Sequence, residues 1–159
     1  MADEKREFLR HTLATLAYRG CKAVRGAGDE FAGFSLGENP KTPAMILTHI
    51  GDLLDWAVTL AEGRQAWSDS VPLPWEHEVQ RFHVALGKFD EYLASDRPLA
   101  ASPEKLFQGP IADALTHVGQ LAMLRRLAGT KMKSENYSRA DIVAGRVGPE
   151  QTAPKREFD

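Results

Sequence analysis

The feature that most constrains this fold is a helical period of apolar residues that recurs in four long segments. Over positions 43–62, apolar side chains return every three or four residues. Thr42 followed by Pro43 is a typical helix start, and Gly63 is a typical helix end. A stripe with this period is normally buried against other helices, so the segment is predicted to be a core helix.

The other three long segments show the same period. The first helix is predicted over about 3–24, the third begins at Pro74, and the fourth ends near Ala128, before Gly129. Ser102 and Pro103 predict a short helix, after which Gly109 and Pro110 either kink or restart the chain. The apolar faces are Phe8, Thr12, Leu13, Leu16, Gly20 and Val24 in the first helix, and Trp75, Val79, Phe82, Leu86, Phe89 and Leu93 in the third.

Alternating strand patterns are nearly absent from the sequence, which predicts an all-α four-helix bundle over 1–129 with an extended C-terminal tail over 130–159. The tail is rich in Gly, Pro and charge, and we expect one short helix in it. It is expected to pack on the body or on a partner subunit, with Tyr137 and Arg139 as the side chains of interest. The connection 26–41 contains aromatic residues and is expected to pack as well.

Composition narrows the possible partners. The 159 residues carry a net charge of −2 and no basic stripe, which argues against nucleic-acid binding. No signal peptide and no run of about 18 consecutive apolar residues is visible, so no membrane association is expected. The single cysteine, Cys21, cannot form an internal disulfide and is interpreted as a core residue in a cytoplasmic protein. The apolar seam and the tail favour a homodimer.

A carboxylate and a histidine lie four residues apart on the predicted fourth helix. Asp113 and His117 share one helix face, with Cβ atoms about 5–6 Å apart. His49 lies beside the apolar stripe of the second helix. Together the three side chains could hold one metal ion and leave coordination positions open. Gln120 is predicted to orient a ligand or bound water. Arg125 is predicted to meet a substrate carboxylate if it turns toward the cleft.

Each of these residues also has a purely structural interpretation. His49 and His117 could be core-edge histidines bonded to a carbonyl or, for His49, to Asp52 or Asp55. If Pro110 is the first helical residue, the helix dipole stabilises Asp113 by about 0.3–1 kcal/mol without any ligand. A further histidine, His83, follows the seam of the third helix and is a candidate fourth ligand or a group behind the ligands.

The separated elements resemble the DinB/YfiT-like superfamily of metalloenzymes, which are four-helix bundles of about this length. The family places one histidine on the second helix and H-x-x-x-H-x-G-Q on a later helix. Here Thr48-His49-Ile50-Gly51-Asp52 resembles the first element, and Asp113 through Gln120 resembles the second, with Asp113 in place of the first histidine. The resemblance covers about residues 1–128.

The resemblance implies a metal-dependent enzyme that uses a low-molecular-weight thiol, with His49, Asp113 and His117 binding Zn²⁺, Ni²⁺ or Fe²⁺. A thiol transferase or a hydrolase acting on a small molecule is expected. Two alternatives remain: a non-catalytic metal- or ligand-binding helical bundle, which is stress-related by resemblance, and an interaction protein without metal. Coordination separates the first two, because an open position favours catalysis and a fourth protein ligand such as His83 favours structure.

Overall fold

The computed structural model describes residues 3–38 and 41–158, which are predominantly helical. The expectation of an all-α fold is confirmed. Positions 39 and 40 of the connection 26–41, and positions 1, 2 and 159 at the ends of the two predicted units, lie outside the described residues. The helices are α1 (Glu4–Val24), α2 (Asp29–Ala32), α3 (Pro43–Glu62), α4 (Trp75–Ala94), α5 (Pro103–Leu106) and α6 (Ala112–Leu127).

The ends of α3 follow the sequence signals. The Thr42 hydroxyl accepts a hydrogen bond from the Met45 amide, Pro43 occupies the first turn, and Gly63 adopts a left-handed conformation with φ of 81°. The start of α1 carries a cap of the same kind, in which the Asp3 carboxylate accepts from the amides of Lys5 and Arg6. Local side-chain chemistry therefore sets where these two helices begin.

Helices α1 and α3 each pack against both α4 and α6, so α1 and α3 lie diagonally across the bundle. Helix α3 is also long and apolar enough to cross a membrane by length and composition, with a mean hydropathy of 1.3 over its most apolar window. Most of that window (61%) is buried inside the bundle, which accounts for its apolar character.

The helix does not restart at Pro110. Helix α5 continues through a π-helical turn, Phe107–Ile111, directly into α6. Pro110 lacks an amide hydrogen, and its ring would collide with the carbonyl of a regular α-helix, so the wider turn accommodates it. The helical rod therefore begins at Pro103, and Asp113 lies well inside it. The helix-start interpretation of Asp113 loses its basis.

The tail adds a small element that the sequence pattern did not indicate. Strand β1 (Ser134–Glu135) pairs antiparallel with β2 (Glu157–Phe158), and a single 3-10 turn spans Tyr137–Arg139. The tail lies on α1, where Lys22 Nζ is 2.5 Å from Glu135 Oε1 and 2.9 Å from Glu157 Oε2. The Glu135 side chain is fully buried, so this ion pair fixes the tail on the bundle.

One predicted core position is wrong. Phe8 is 65% exposed, whereas its neighbour Leu9 is 2% exposed and belongs to the core. The buried stripe of α1 passes through Leu9, Leu13 and Leu16, so Phe8 falls just outside it. Phe8 instead lines a surface groove together with Phe107.

Gly20 is expected to be essential for the packing of α1 on α4. A Cβ atom at this position would lie 2.5 Å from Phe82 Cζ, and Phe82 is 1% exposed, so its ring has little room to move. Gly20→Ala should lower the free energy of unfolding by about 1–3 kcal/mol in urea denaturation, because it overpacks the core.

Gly87→Ala is the matched control. Gly87 also lies inside a helix, but no other element of the described chain comes within 4 Å of the position that a Cβ atom would take there. That variant should be neutral or stabilising by up to about 1 kcal/mol, as expected for Gly to Ala in a helix. Equal stability changes in the two variants would contradict the close approach at Gly20.

Candidate metal centre

The structure brings His49 on α3 together with Asp113 and His117 on α6. His117 Nε2 lies 3.3 Å from Asp113 Oδ1, and His49 Nε2 lies 3.7 Å from Asp113 Oδ2. The two imidazole rings stand edge to face, with centroids 4.7 Å apart. One candidate ligand atom from each side chain lies within 4.8 Å of the other two, so this group could hold a metal ion.

These separations suit a small divalent ion. Ligands at about 2.0–2.1 Å in a tetrahedral site lie about 3.3 Å from one another. The His117–Asp113 separation already has that value. The remaining separations need only side-chain rotation, and the side chains of Asp113 and His49 are 48% and 35% exposed, which leaves them free to turn.

Gln120 fixes the tautomer of His117. Its carbonyl oxygen Oε1 lies 2.8 Å from His117 Nδ1, and a carbonyl oxygen can only accept, so Nδ1 carries the proton. In the neutral ring, Nε2 carries the lone pair and faces the Asp113 carboxylate. Two acceptors at this distance favour a cation between them. Gln120 therefore contacts a candidate ligand residue through the ring nitrogen that does not face Asp113.

A cavity of about 200 Å³ opens beside the two histidines. Its lining combines apolar side chains with polar and charged ones, which suits a small polar molecule. Its lining residues are Lys41, Met45, Ile46, Thr48, His49, Asp52, Asp69, Ser70, Pro72 and His117. His49 and His117 thus lie at the edge of a space that a substrate could enter.

The loop 64–74 supplies one wall of this cavity. Trp67 packs edge to face on His49, with ring centroids 5.6 Å apart, and on Trp56, with centroids 5.9 Å apart. Ser70 donates hydrogen bonds to Asp52 from its amide at 3.0 Å and from its hydroxyl at 2.6 Å. The loop is therefore held on α3 at His49, Asp52 and Trp56.

Asp52 is not the partner of His49. Its carboxylate is 4% exposed and lies 2.6 Å from the Arg81 guanidinium. Burial alone would raise the pKa of Asp52, but the hydrogen bonds from Ser70 and Arg81 outweigh it and lower the pKa. Asp55 also pairs with Arg81. Asp113 is the carboxylate that faces His49.

Arg125 does not turn toward the cavity, so the prediction that it meets a substrate there is wrong. Its guanidinium is buried and donates to the carbonyl oxygens of Ala23 and Arg25, both at 2.8 Å, and of Thr130 at 2.8 Å. The carbonyls of Ala23 and Arg25 belong to the end of α1, where the helix itself leaves them without partners, and Thr130 follows the end of α6. Burial also lowers the pKa of Arg125.

His83 faces the tail rather than the candidate metal site. Its Nδ1 lies 3.3 Å from the Val147 carbonyl oxygen, and its Nε2 lies 3.6 Å from Cys21 Sγ. The ring is therefore occupied between α1 and the tail and is not a fourth ligand. Cys21 is 5% exposed, and burial raises the pKa of its thiol, in keeping with a core residue.

The sequence interpretation missed the parts of the site that come from the loop and from α4. Trp67 and Ser70 lie in an irregular segment without a period, so nothing in the sequence indicated which way they face. Gly51 next to Asp52 was a signal, because a glycine inside a helix can mark the close approach of another group. Here that group is Arg81.

Comparison with protein-family models, with curated proteins and with solved structures found no match for this chain. The resemblance to the DinB/YfiT-like superfamily therefore stays a prediction. The geometry shows a His–Asp–His group able to hold an ion, and the donor atoms alone do not select among zinc, nickel and iron.

His83 should make stability depend on pH. Burial lowers its pKa from the ordinary value of 6.5, and the hydrogen bond to Val147 only partly offsets this. Below about pH 6.5 the unfolded chain then binds more protons than the folded one, so stability falls as pH falls. His83→Gln should lose less unfolding free energy than the wild type between pH 7 and pH 5, measured by urea denaturation.

The control is His77→Gln, because His77 is exposed in the first turn of α4. It should keep the wild-type pH dependence. If His83→Gln loses as much stability on acidification as the wild type, protonation of His83 is not what couples stability to pH.

Proposed function

We propose that this protein is a divalent-metal-dependent enzyme of the DinB-like type, which activates a low-molecular-weight thiol for transfer. The observation that carries the proposal is the convergence of His49, Asp113 and His117 from two helices at the edge of a cavity. Two imidazoles and one carboxylate form a donor set suited to Zn²⁺, Ni²⁺ or Fe²⁺. A divalent ion in such a site lowers the pKa of a bound thiol or water.

A coordination position without a protein ligand supports a catalytic rather than a structural metal site. Among residues 3–38 and 41–158, the group contains three protein ligands, and His83 lies elsewhere. Three protein ligands leave a coordination position for an exchangeable group, whereas structural zinc sites close all four. The cavity beside His49 and His117 provides the space that such a group needs.

Each nearby side chain has a distinct role in this proposal. Gln120 holds the His117 ring so that Nε2 points at the ion. Trp67 covers one side of His49 and keeps water from that side. Lys41 lines the cavity, and its ammonium can bind a carboxylate of the thiol substrate. Lys41 thus has the role predicted for Arg125.

Metal content is the first test. Purified wild-type protein, loaded with Zn²⁺, Ni²⁺ or Fe²⁺ and then desalted, should hold about one equivalent by elemental mass spectrometry. His49→Ala and His117→Ala should each lose it, because two ligands bind such an ion much more weakly than three. His11→Ala, which removes an exposed histidine of α1, should retain the metal.

The same assay tests whether Asp113 is a metal ligand or only a carboxylate on the helix surface. Asp113→Ala should lose the metal, whereas Asp113→His should retain it, because an imidazole at this position restores a third ligand on the same helix face. Full retention of metal by Asp113→Ala would exclude it as a ligand. Absence of metal from the wild type under all three loading conditions would overturn the metalloenzyme proposal.

Thiol activation is tested by alkylation of small thiols with iodoacetamide at pH 6.5, where free thiols are mostly protonated; the thiolate sulfur displaces iodide and the thiol proton passes to the buffer. The metal-loaded protein should accelerate alkylation of 3-mercaptopropionate and of 2-mercaptoethanol at least tenfold over the metal-free protein. Lys41→Met should raise KM for 3-mercaptopropionate only, since only that thiol carries a carboxylate. Lys88→Met, on exposed α4 surface, is the matched control.

Metal binding without any acceleration of alkylation would leave a metal-binding bundle without thiol chemistry. An equal effect of Lys41→Met on both thiols would remove Lys41 from carboxylate recognition while leaving the thiol chemistry in place.

A further inference from the structure

Arg81 of α4 reaches across the surface of α3 and makes a cluster of contacts there. Its side chain is 20% exposed, and its guanidinium donates to one backbone carbonyl and pairs with three carboxylates. The acceptors are Thr48 O at 3.1 Å, Asp52 Oδ1 at 2.6 Å, Asp55 Oδ2 at 3.0 Å and Glu78 Oε1 at 3.3 Å. A planar guanidinium is suited to hold several acceptors in a fixed arrangement.

Gly51 makes this crossing possible. A Cβ atom there would lie 2.9 Å from Arg81 Cζ and 2.9 Å from Nη1. Any other residue would displace the guanidinium, which its acceptors hold in place. Asp52 and Glu78 are 4% and 1% exposed, so their carboxylates depend on this cation for charge compensation.

The contacts of Arg81 lead to His49 by two routes. The first is the Thr48 carbonyl oxygen, which belongs to the residue directly before His49. The second passes through Asp52, which accepts both hydrogen bonds from Ser70 and so pins the loop that carries Trp67. Trp67 in turn packs on the His49 ring. The Arg81 side chain thus supports the backbone of His49 through Thr48 and the ring of His49 through Asp52, Ser70 and Trp67.

We propose that Arg81 is a positioning residue for the metal centre, which holds His49 in its ligating orientation through Thr48 and through the Asp52–Ser70–Trp67 wall. This inference rests on the proposed function, because it takes His49 to be a metal ligand. Arg81 does not itself line the cavity, but it contacts two residues that do, Thr48 and Asp52. Its hydrogen-bond acceptors do not include His49, Asp113 or His117. Its effect is on the orientation of His49, as for outer groups that orient metal-bound histidines.

A purely structural clamp would change stability and leave the ligand geometry unchanged. Two readouts separate the roles. Co²⁺ absorption in the visible range reports the geometry and affinity of the metal site, and the near-ultraviolet circular dichroism of the Trp56–Trp67 pair reports the loop. Trp67→Phe identifies the part of the dichroism signal that comes from this pair.

Arg81→Met should weaken Co²⁺ binding by about 10- to 100-fold, change the visible spectrum and reduce the Trp67 signal. Arg64→Met is the matched control, since Arg64 lies at the start of the same loop, is 60% exposed in its side chain and pairs only with Glu62 among the ion pairs of the described chain. It should match the wild type in both readouts. Arg81→Lys should restore only part of the affinity, because one ammonium cannot reach all these acceptors.

Gly51→Ala displaces the Arg81 guanidinium without removing its charge, and alanine favours the helix. This variant therefore tests the positioning role if Arg81→Met does not fold. It should weaken Co²⁺ binding in the same direction. A folded Arg81→Met or Gly51→Ala variant with wild-type affinity, spectrum and dichroism would overturn the proposal. If the wild type binds no Co²⁺, the proposed metal function is wrong. The Trp67 signal of Arg81→Met then still shows whether Arg81 holds the loop against His49.

Discussion

The packing of α3 between α4 and α6 is the constraint on which the rest of the structure depends. Helix α3 buries its apolar stripe on both neighbours, and residues such as Leu47, Ile50 and Leu54 have at most 1% of their surface exposed. Once those residues are buried, the polar residues between them have fixed positions. His49 is directed to the α6 side, where it faces Asp113, and Asp52 is directed to the α4 side, where it pairs with Arg81. One helix therefore carries both a candidate metal ligand and the main carboxylate partner of Arg81.

Two of the clusters that compensate buried charge in the described part of this protein lie at separate faces of the bundle. On the α3–α4 face, Arg81 compensates Asp52 and Glu78. On the outer face of α1, Lys22 compensates Glu135 of the tail. Because an unpaired buried charge is costly, each cluster holds an irregular segment firmly on the helices: the loop 64–74 in the first case and the tail in the second.

The two histidines with buried surroundings, His83 and His117, illustrate how similar sequence signals lead to different chemistry. His83 directly follows the buried Phe82 of α4, and His117 lies next to the buried Val118 of α6. His83 meets a carbonyl oxygen and a thiol on the tail side, so its hydrogen-bonding groups are occupied. His117 meets Gln120 with one nitrogen and a carboxylate with the other, which leaves its second nitrogen suited to an ion. The partners, rather than burial, distinguish a candidate metal ligand from a core histidine.

The sequence by itself determined the helices, their caps and the shared face of Asp113 and His117, because apolar period, capping residues and i,i+4 spacing are local properties. Only the tertiary structure decided that α3 brings His49 to that face, that Arg125 closes helix ends and that His83 meets the tail. Those outcomes depend on which helix lies beside which, and on irregular segments such as the loop carrying Trp67, whose direction is set by contacts distant in the chain.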